Sequence, residues 1–239
     1  MIKNNLNFFN NIQKKNLDSK SIKKFTKLFP KILSKVFTDI NSSKKTLNTL
    51  NKKFNFNFEF KDLEKFKSFK TIAIIGMGGS ILGSEAVSHF LKEKINKKIY
   101  FFNDLNIKKI QNFKKKKNLN KVLFFVISKS GNTVETLSNF FTLKIIKKNS
   151  KNIIIISEKK NNLLYSLSKK FNLFYVEHKN YIGGRYSVLS EVGIVPTYLM
   201  GVNINKLRSG SLKSLKKKTQ LFLKDSTIML SSLLSFKKI

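Results

Sequence analysis

The sequence predicts an α/β protein, a three-layer sandwich in which a parallel sheet lies between two layers of helices. The first observation is that short apolar runs alternate with amphipathic stretches of helical spacing from Thr71 onward. The second is that glycine-rich or hydroxyl-rich turns directly follow several of these apolar runs. Alternating strands and helices require crossover connections, which place helices on both faces of a parallel sheet.

The region from Met1 to about Lys70 is predicted to be helical and to pack on the domain that follows it. It has no glycine, and its apolar residues recur at helical spacing in two segments. These residues are Ile22, Phe25, Leu28 and Phe29 in the first segment, and Ile32, Val36 and Ile40 in the second. We expect Pro30, which lies between the segments, to stand near a helix boundary or in a first turn.

The central region contains the elements of the sheet. Five apolar runs are the strand candidates: residues 71–75, 99–102, 122–127, 153–156 and 173–176. Four amphipathic stretches are the helix candidates: residues 81–94, about 107–113, 134–148 and 163–171. From Val202 onward the leucine-rich sequence predicts one or two further helices and no strand. Ligands of such sheets bind at the carboxyl ends of the strands, so the turns there are the candidate site.

The segment from Ser128 to Thr136 is the strongest candidate for an anion site. It follows the strand 122–127 and precedes the helix that begins near Val134. Its small and hydroxyl residues would present hydroxyls and free backbone N–H groups at the positive end of a helix dipole, which suits a phosphate. A structural interpretation is equally compatible: Asn132 as N-cap and Glu135 three residues later form a capping box.

A second turn, Gly76-Met77-Gly78-Gly79-Ser80, follows the strand 71–75. Its glycines allow a ligand to approach the backbone, and Ser80 offers a hydroxyl at a helix start. The dinucleotide-binding fingerprint requires a small residue where Ile81 stands, so a Rossmann cofactor loop is excluded. Two interpretations remain open here, a tight strand-to-helix turn and a ligand contact.

The third turn, Gly183 to Ser190, contains Arg185. Of 48 basic residues only Arg185 and Arg208 are arginines. Where lysine is used almost everywhere, an arginine suggests that lysine would not serve. A planar, permanently charged guanidinium suits an anion that forms during a reaction. The alternative is an ordinary surface arginine in a loop.

Composition limits the remaining classes of function. The formal charge is +35 and the isoelectric point is near 10.3. Because arginine is scarce and the abundant residues have A/T-rich codons, we expect compositional drift and only loose, salt-sensitive adhesion to polyanions, without specific nucleic-acid recognition. The absence of cysteine excludes disulfides and thiolate chemistry. No apolar run approaches the roughly 20 residues of a membrane span, and no signal peptide is evident, so we expect a cytoplasmic protein.

Together the three turns resemble the glucose-6-phosphate isomerase family. The matching segments are Gly76–Gly83, Ser128–Thr136 and Gly183–Ser190, in that order, within about residues 70–200. The resemblance implies the sugar-isomerase (SIS) fold with a five-stranded parallel sheet, usually two such domains per chain, and no metal or organic cofactor. It suggests an N-terminal helical region (1–68), one SIS domain (69–201), and a helical segment (202–239) leading toward an absent second SIS domain.

The resemblance also implies roles for individual residues. Gly79 and Ser80 would contact the phosphate end of the sugar, and Arg185 would stabilise the enediolate. The remaining substrate-binding residues would be those of the phosphate loop: Ser128, Lys129, Ser130, Gly131, Asn132 and Thr133. The implied reaction interconverts glucose 6-phosphate and fructose 6-phosphate in glycolysis and gluconeogenesis, an intramolecular oxidoreduction, by an enzyme that is a homodimer when complete.

One departure from the family is large. The family's general base is a glutamate in the second SIS domain, followed by a histidine and a lysine, and this sequence ends before all three. We therefore expect the chain alone to be inactive. Glu135 is interpreted as a helix cap, His89 as structural, and His178 receives no role. Two alternatives remain: a non-catalytic phosphosugar-binding SIS domain acting as a sensor or regulator, and a nucleic-acid-binding protein supported only by charge.

Overall fold

The structure, a computed structural model, describes residues 17–211 and 217–236. Its centre is a five-stranded, all-parallel sheet with the strand order β2-β1-β3-β4-β5. The strands are β1 (Thr71–Gly76), β2 (Lys98–Phe102), β3 (Val122–Ile127), β4 (Ile153–Ser157) and β5 (Phe174–Glu177). The predicted three-layer α/β fold is confirmed, and each strand lies within one residue of its predicted bounds.

Some of the described helices alternate with the strands, and the others lie before or after the sheet in the sequence. They are α1 (Ser19–Asn41), α2 (Phe60–Leu63), α3 (Leu82–Phe90), α4 (Ile107–Lys116), α5 (Val134–Leu143), α6 (Leu163–Lys170), α7 (Glu191–Leu199), α8 (Ile204–Ser211) and α9 (Lys217–Phe236). None of these helices is long and apolar enough to cross a membrane.

Two hydrophobic cores lie on opposite faces of the sheet. Because successive strand residues point to opposite faces, Phe125 packs in the core that includes Val195 of α7, and Phe124 packs in the core that includes Phe140 of α5. Every residue of β3 is buried. This two-sided burial is the physical reason for the unbroken apolar run at the centre of the sequence.

The prediction of two helical segments separated at Pro30 is wrong. Helix α1 runs without a break from Ser19 to Asn41, with the exposed Pro30 in its interior. A proline there removes one backbone hydrogen bond and disfavours the helix locally. Packing of α1 along α9, in which Ser235 Oγ lies 3.1 Å from Ser21 Oγ, supplies contacts that the local sequence does not reveal.

Two predicted helices are shorter than expected. Helix α5 ends at Leu143 because Lys144 adopts a left-handed backbone conformation (φ 54°), and the chain then turns Ile145 into the core. Helix α3 ends at Phe90 and is followed by a short 3₁₀ turn at Lys92–Lys94. After α5 the apolar periodicity continues past the last helical residue because Ile145, in the following loop, is also buried. After α3 it continues to Leu91 and Ile95, which are half-buried.

Candidate functional site

The turn Gly76–Ser80 and the turn Gly183–Ser190 meet at the carboxyl edge of the sheet. The 3₁₀ turn Gly78–Ser80 follows β1, and the 3₁₀ segment Gly184–Leu189 follows β5. A Cβ on Gly79 would lie only 2.3 Å from the carbonyl carbon and oxygen of Gly184. Ser187 Oγ donates a hydrogen bond to the Gly79 carbonyl at 3.0 Å. The two backbones therefore touch, and the contact requires glycine at position 79.

Three hydroxyls of the Ser128 loop gather at the start of α5. Ser128 Oγ lies 2.8 Å from Thr133 Oγ1, and Ser130 Oγ lies 3.4 Å from each of them. Ser128 is buried, whereas Ser130 is exposed, so the cluster has a closed floor and an open side. Hydroxyls that face the positive end of a helix dipole are suited to hold an anion such as a phosphate. The structure thus brings together the hydroxyl side chains that the sequence singled out.

The predicted capping box is wrong. The N-cap of α5 is Thr133, whose side chain makes no capping hydrogen bond with any residue that the structure describes. Asn132 Oδ1 instead accepts a hydrogen bond from Leu163 N, at the start of α6, at 2.9 Å. A capping box is inferred from neighbours in sequence, but the side chain of Asn132 bonds to the backbone of the next helix.

The turn between β4 and α6 holds the Ser128 loop in place. Gly131 has φ 71°, and a Cβ there would lie 1.8 Å from Asn162 Oδ1. Leu164 N donates to the Gly131 carbonyl, and Glu158 N donates to the Lys129 carbonyl, both at 3.1 Å. The shape of the loop is therefore set by its neighbour in the sheet, which the sequence motif does not contain.

The Lys129 side chain connects the loop to the residues just before the turn Gly183–Ser190, which we call the arginine segment. Its Nζ donates to the Asn180 carbonyl at 2.7 Å and lies 3.6 Å from Glu158 Oε1. Glu158 is also 2.5 Å from Lys160 Nζ. The Lys129 ammonium is thus held in position by a carbonyl group and a carboxylate of the protein.

The two arginines of the chain have different surroundings. Arg185 is exposed and makes no hydrogen bond or ion pair with any residue that the structure describes. Arg208 is buried; its guanidinium donates to the carbonyls of Leu189 (2.8 Å), Thr49 (3.1 Å) and Asn51 (2.6 Å). Arg208 therefore fastens the end of the arginine segment to the N-terminal region. The rarity of arginine singled out Arg185 in the sequence, whereas the structural role of Arg208 depends on distant partners.

Three ionisable side chains with little exposure lie on either side of the arginine segment in the chain: His178, Lys179 and Glu191. Glu191 is fully buried, and its Oε1 accepts from Asn57 N at 3.1 Å and lies 3.5 Å from Lys179 Nζ. Burial raises the pKa of the Glu191 carboxyl, an effect that its hydrogen bonds and Lys179 partly oppose. His178 is also buried, and burial lowers its pKa. Sequence reasoning missed Glu191 and Lys179, because neither lies in one of the three turns and their contact forms only when the start of α7 packs against the segment after β5.

The structure also bears on metals. Among residues 17–211 and 217–236, no three side chains of histidine, cysteine, aspartate or glutamate come together in a way that could hold a metal ion. The chemistry that the three turns offer is that of hydroxyls, backbone N–H groups and cations, which is the chemistry of anion binding.

A family model described as phosphoglucose isomerase matches residues 30–235. Among the curated relatives, glucose-6-phosphate isomerase of Methanocaldococcus jannaschii is 35% identical over 157 residues, which is 63% of this chain and 38% of that protein. A probable glucose-6-phosphate isomerase of Methanococcus maripaludis is 36% identical over 199 residues, 74% of this chain and 45% of that protein. The chain therefore spans less than half the length of these relatives.

Two solved structures share the fold. A hypothetical protein of Thermus thermophilus superposes with a TM-score of 0.68 at 19% identity, covering 87% of this chain and 54% of that one. A glucose-6-phosphate isomerase of Chlamydia trachomatis superposes with a TM-score of 0.59 at 17% identity, covering 92% of this chain and 49% of that one. At these identities the likeness establishes the fold, and it confirms the expected five-stranded parallel architecture.

Proposed function

Because the chain belongs to the phosphoglucose isomerase family, we propose that it supplies the phosphate clamp and the enediolate-stabilising cation of glucose-6-phosphate isomerase. Its substrates would be glucose 6-phosphate and fructose 6-phosphate, interconverted in glycolysis and gluconeogenesis. The complete enzyme would be a cytoplasmic homodimer. The observation that carries this proposal is the convergence of the Ser128 hydroxyl cluster, the Gly79 turn and the Arg185 segment at one edge of the sheet.

In this proposal the Ser128 loop holds the phosphate group. The hydroxyls of Ser128, Ser130 and Thr133 would donate hydrogen bonds to the phosphate oxygens. The first backbone N–H groups of α5 would donate the remaining hydrogen bonds to the phosphate. Gly79 and Ser80 would approach the same end of the sugar. Lys129 would act through its charge. Binding energy at this remote phosphate would be used to fix the reacting carbons near the cation.

Arg185 would act at the reacting end of the sugar. Isomerisation between C1 and C2 passes through an enediolate, whose oxygen gains negative charge as the proton leaves carbon. A guanidinium without other partners among the described residues is available to meet that charge. Donors aimed at the position where charge develops are typically among the largest contributions to catalysis.

The proton itself must be carried by a general base, which is a separate task. Two carboxylates beside the three turns have other roles: Glu158 pairs with Lys129 and Lys160, and Glu191 is buried against Asn57 and Lys179. A third, Glu135, lies in the first turn of α5. We propose that the base lies outside these 239 residues, in a second SIS domain, and that the chain by itself turns over negligibly.

Two measurements on the 239-residue chain test this proposal together. Calorimetric titration should show binding of glucose 6-phosphate and none of glucose, since the phosphate supplies the recognition. A coupled assay that reports fructose 6-phosphate should detect no turnover above the buffer rate. Equal binding of both sugars would refute the phosphate clamp, and full activity of the chain alone would show that the base has been misplaced.

A further inference from the structure

Strand β2 forms one edge of the sheet, and half of its backbone groups face away from the other strands. Lys98 N donates to the Lys70 carbonyl of the neighbouring segment at 2.9 Å, and Lys98 is in register with Thr71. In a parallel pair, alternate residues bond to the same neighbour. Tyr100 therefore also faces β1, whereas Ile99 and Phe101 direct their N–H and C=O groups outward. No residue that the structure describes bonds to those outward groups.

A groove runs along β2 on the face that carries α4. It has a volume of about 300 Å³. Its apolar floor consists of the rings of Tyr100, Phe102 and Phe113. Its cationic rim consists of the ammonium groups of Lys109, Lys116 and Lys117. Lys117 Nζ lies 5.4 Å from the centre of the Tyr100 ring, and Lys109 Nζ lies 5.9 Å from that of Phe102. The groove thus suits an apolar side chain with a negative charge nearby.

A second groove runs along the same strand on the face that carries α3. It has a volume of about 240 Å³ and includes Ile99, Phe101, His89, Lys92 and Lys97 in its lining. The His89 ring stacks on Phe101 with 6.5 Å between ring centres. The side-chain nitrogens of His89, Lys92 and Lys97 border this groove, and Lys92 is exposed. The groove therefore suits a carboxylate. The two grooves lie on opposite faces of one edge strand.

We propose that the outer edge of β2 binds an extended acidic peptide, which joins the sheet as a further strand. The peptide backbone would pair with the outward groups of Ile99 and Phe101. Its alternate side chains would enter the two grooves, the apolar ones on the α4 side and the carboxylates on the α3 side. Each groove is at or below the lower end of the roughly 300–1,000 Å³ typical of small-molecule pockets, so it fits a side chain better than a whole ligand.

Charge favours this partner over the other candidates for the same edge. A second copy of the chain would bring Lys98 and the groove lysines against their own equivalents, and like charges on paired strands are destabilising. A single-stranded nucleic acid would satisfy the lysines and the rings, but it would leave the amide groups of Ile99 and Phe101 without strand partners. An acidic peptide satisfies the charges and the backbone at once.

The test uses the full chain and a synthetic peptide at an ionic strength of about 0.15 M. The probe is an acetylated, amidated heptapeptide in which phenylalanine alternates with aspartate. Its binding is measured by the fluorescence anisotropy of a label at one end. Two further peptides carry N-methyl groups, one on every phenylalanine and the other on every aspartate. Because alternate N–H groups of a strand face the same side, one methylated peptide should lose about ten-fold or more in affinity and the other should bind as the parent does.

Charge variants of the chain locate the site. Lys92→Glu and Lys117→Glu, one from each groove, should each weaken binding several-fold. Lys115→Glu is the matched control, because Lys115 is exposed on α4 and lines neither groove. Amide exchange measured by NMR should slow at Ile99 and Phe101 when the peptide binds and change little at Tyr100, which already pairs with β1.

Several outcomes would overturn the proposal. Absence of binding at millimolar peptide would do so. Equal losses for both methylated peptides, or an equal loss with Lys115→Glu, would identify adhesion of an acidic peptide to a basic chain. Slow exchange at Ile99 and Phe101 in the chain alone, appearing as its concentration rises, would assign this edge to a second copy. Slowing of those amides by oligothymidylate and not by the peptide would assign the edge to nucleic acid.

Discussion

The backbones of Gly79 and Gly184 are in contact, although one follows the first strand of the sheet and the other follows the last. The contact is asymmetric. A Cβ on Gly79 would collide with the Gly184 carbonyl at 2.3 Å, whereas a Cβ on Gly184 would lie an ordinary 3.5 Å from Gly79 Cα. This difference separates a position that requires glycine from a neighbour that does not.

Gly79→Ala should therefore destabilise the chain by about 1–3 kcal/mol, the usual cost of overpacking a closed contact. Gly184→Ala should change the free energy of unfolding by less than about 0.5 kcal/mol. Urea unfolding followed by circular dichroism measures both. Equal effects of the two alanines would show that the contact is not closed.

The hydroxyl cluster makes a prediction about phosphate binding. Replacing Ser130 with Ala and Thr133 with Val removes two donors to a charged ligand, so the affinity for glucose 6-phosphate should fall at least about ten-fold. Thr142→Val is the control, since its hydroxyl bonds to Ser138 O within α5, away from the cluster. Calorimetry decides the outcome, and an unchanged affinity in the double variant would exclude the proposed clamp.

Replacement by lysine should destabilise the chain at Arg208 and leave its stability nearly unchanged at Arg185. Arg208→Lys should lower the free energy of unfolding by about 2 kcal/mol or more, because one ammonium cannot reproduce a buried fork that serves three carbonyl groups. Arg185→Lys should leave stability within about 0.5 kcal/mol, since Arg185 is exposed. Thermal and urea unfolding of both variants measure this, and a stable Arg208→Lys chain would contradict it.

The proposed catalytic role of Arg185 requires the complete enzyme. There, Arg185→Lys should keep substrate affinity within a few-fold and lower kcat by roughly ten- to a thousand-fold, the typical value of one preorganised donor. A flexible point charge does not replace a planar fork aimed at one oxygen. The coupled assay for fructose 6-phosphate measures kcat, and a value near that of the unaltered enzyme would refute the role.

Glu191 predicts a specific dependence of stability on pH. Burial raises the pKa of its carboxyl in the folded chain above the ordinary 4.5. At a pH between the ordinary and the raised pKa, the folded chain therefore binds more protons than the unfolded chain. The contribution of Glu191 is thus fully present below about pH 4.5 and is lost as the pH rises through the raised pKa. Glu191→Gln, which cannot ionise, should lose this part of the pH dependence.

Urea unfolding at a series of pH values from about 4 to 8 compares Glu191→Gln with the parent chain. The exposed Glu59→Gln serves as a matched control for the loss of one carboxylate. The difference in unfolding free energy between Glu191→Gln and the parent should shift in favour of glutamine as the pH rises. A difference that is constant across the series would contradict the raised pKa.

The sequence by itself determined the strands, the fold class and the location of the candidate site. A strand buried on both faces must be apolar at every position, as in Val122–Ile127, so its signal is local and can be read from neighbouring residues. The same holds for the three turns, since the loop that follows a parallel strand begins at the carboxyl edge of the sheet. This is why the hydroxyl cluster and Arg185 could be singled out in advance.

Only the tertiary structure decided which turns touch and which side chains hold them. Asn132 bonds to α6 instead of capping α5, α1 continues through Pro30 and packs along α9, and Arg208 fastens the arginine segment to the N-terminal region. Each outcome depends on a partner that is distant in sequence. Local patterns record which side of an element is buried, but the partner that buries it is chosen only when the whole chain folds.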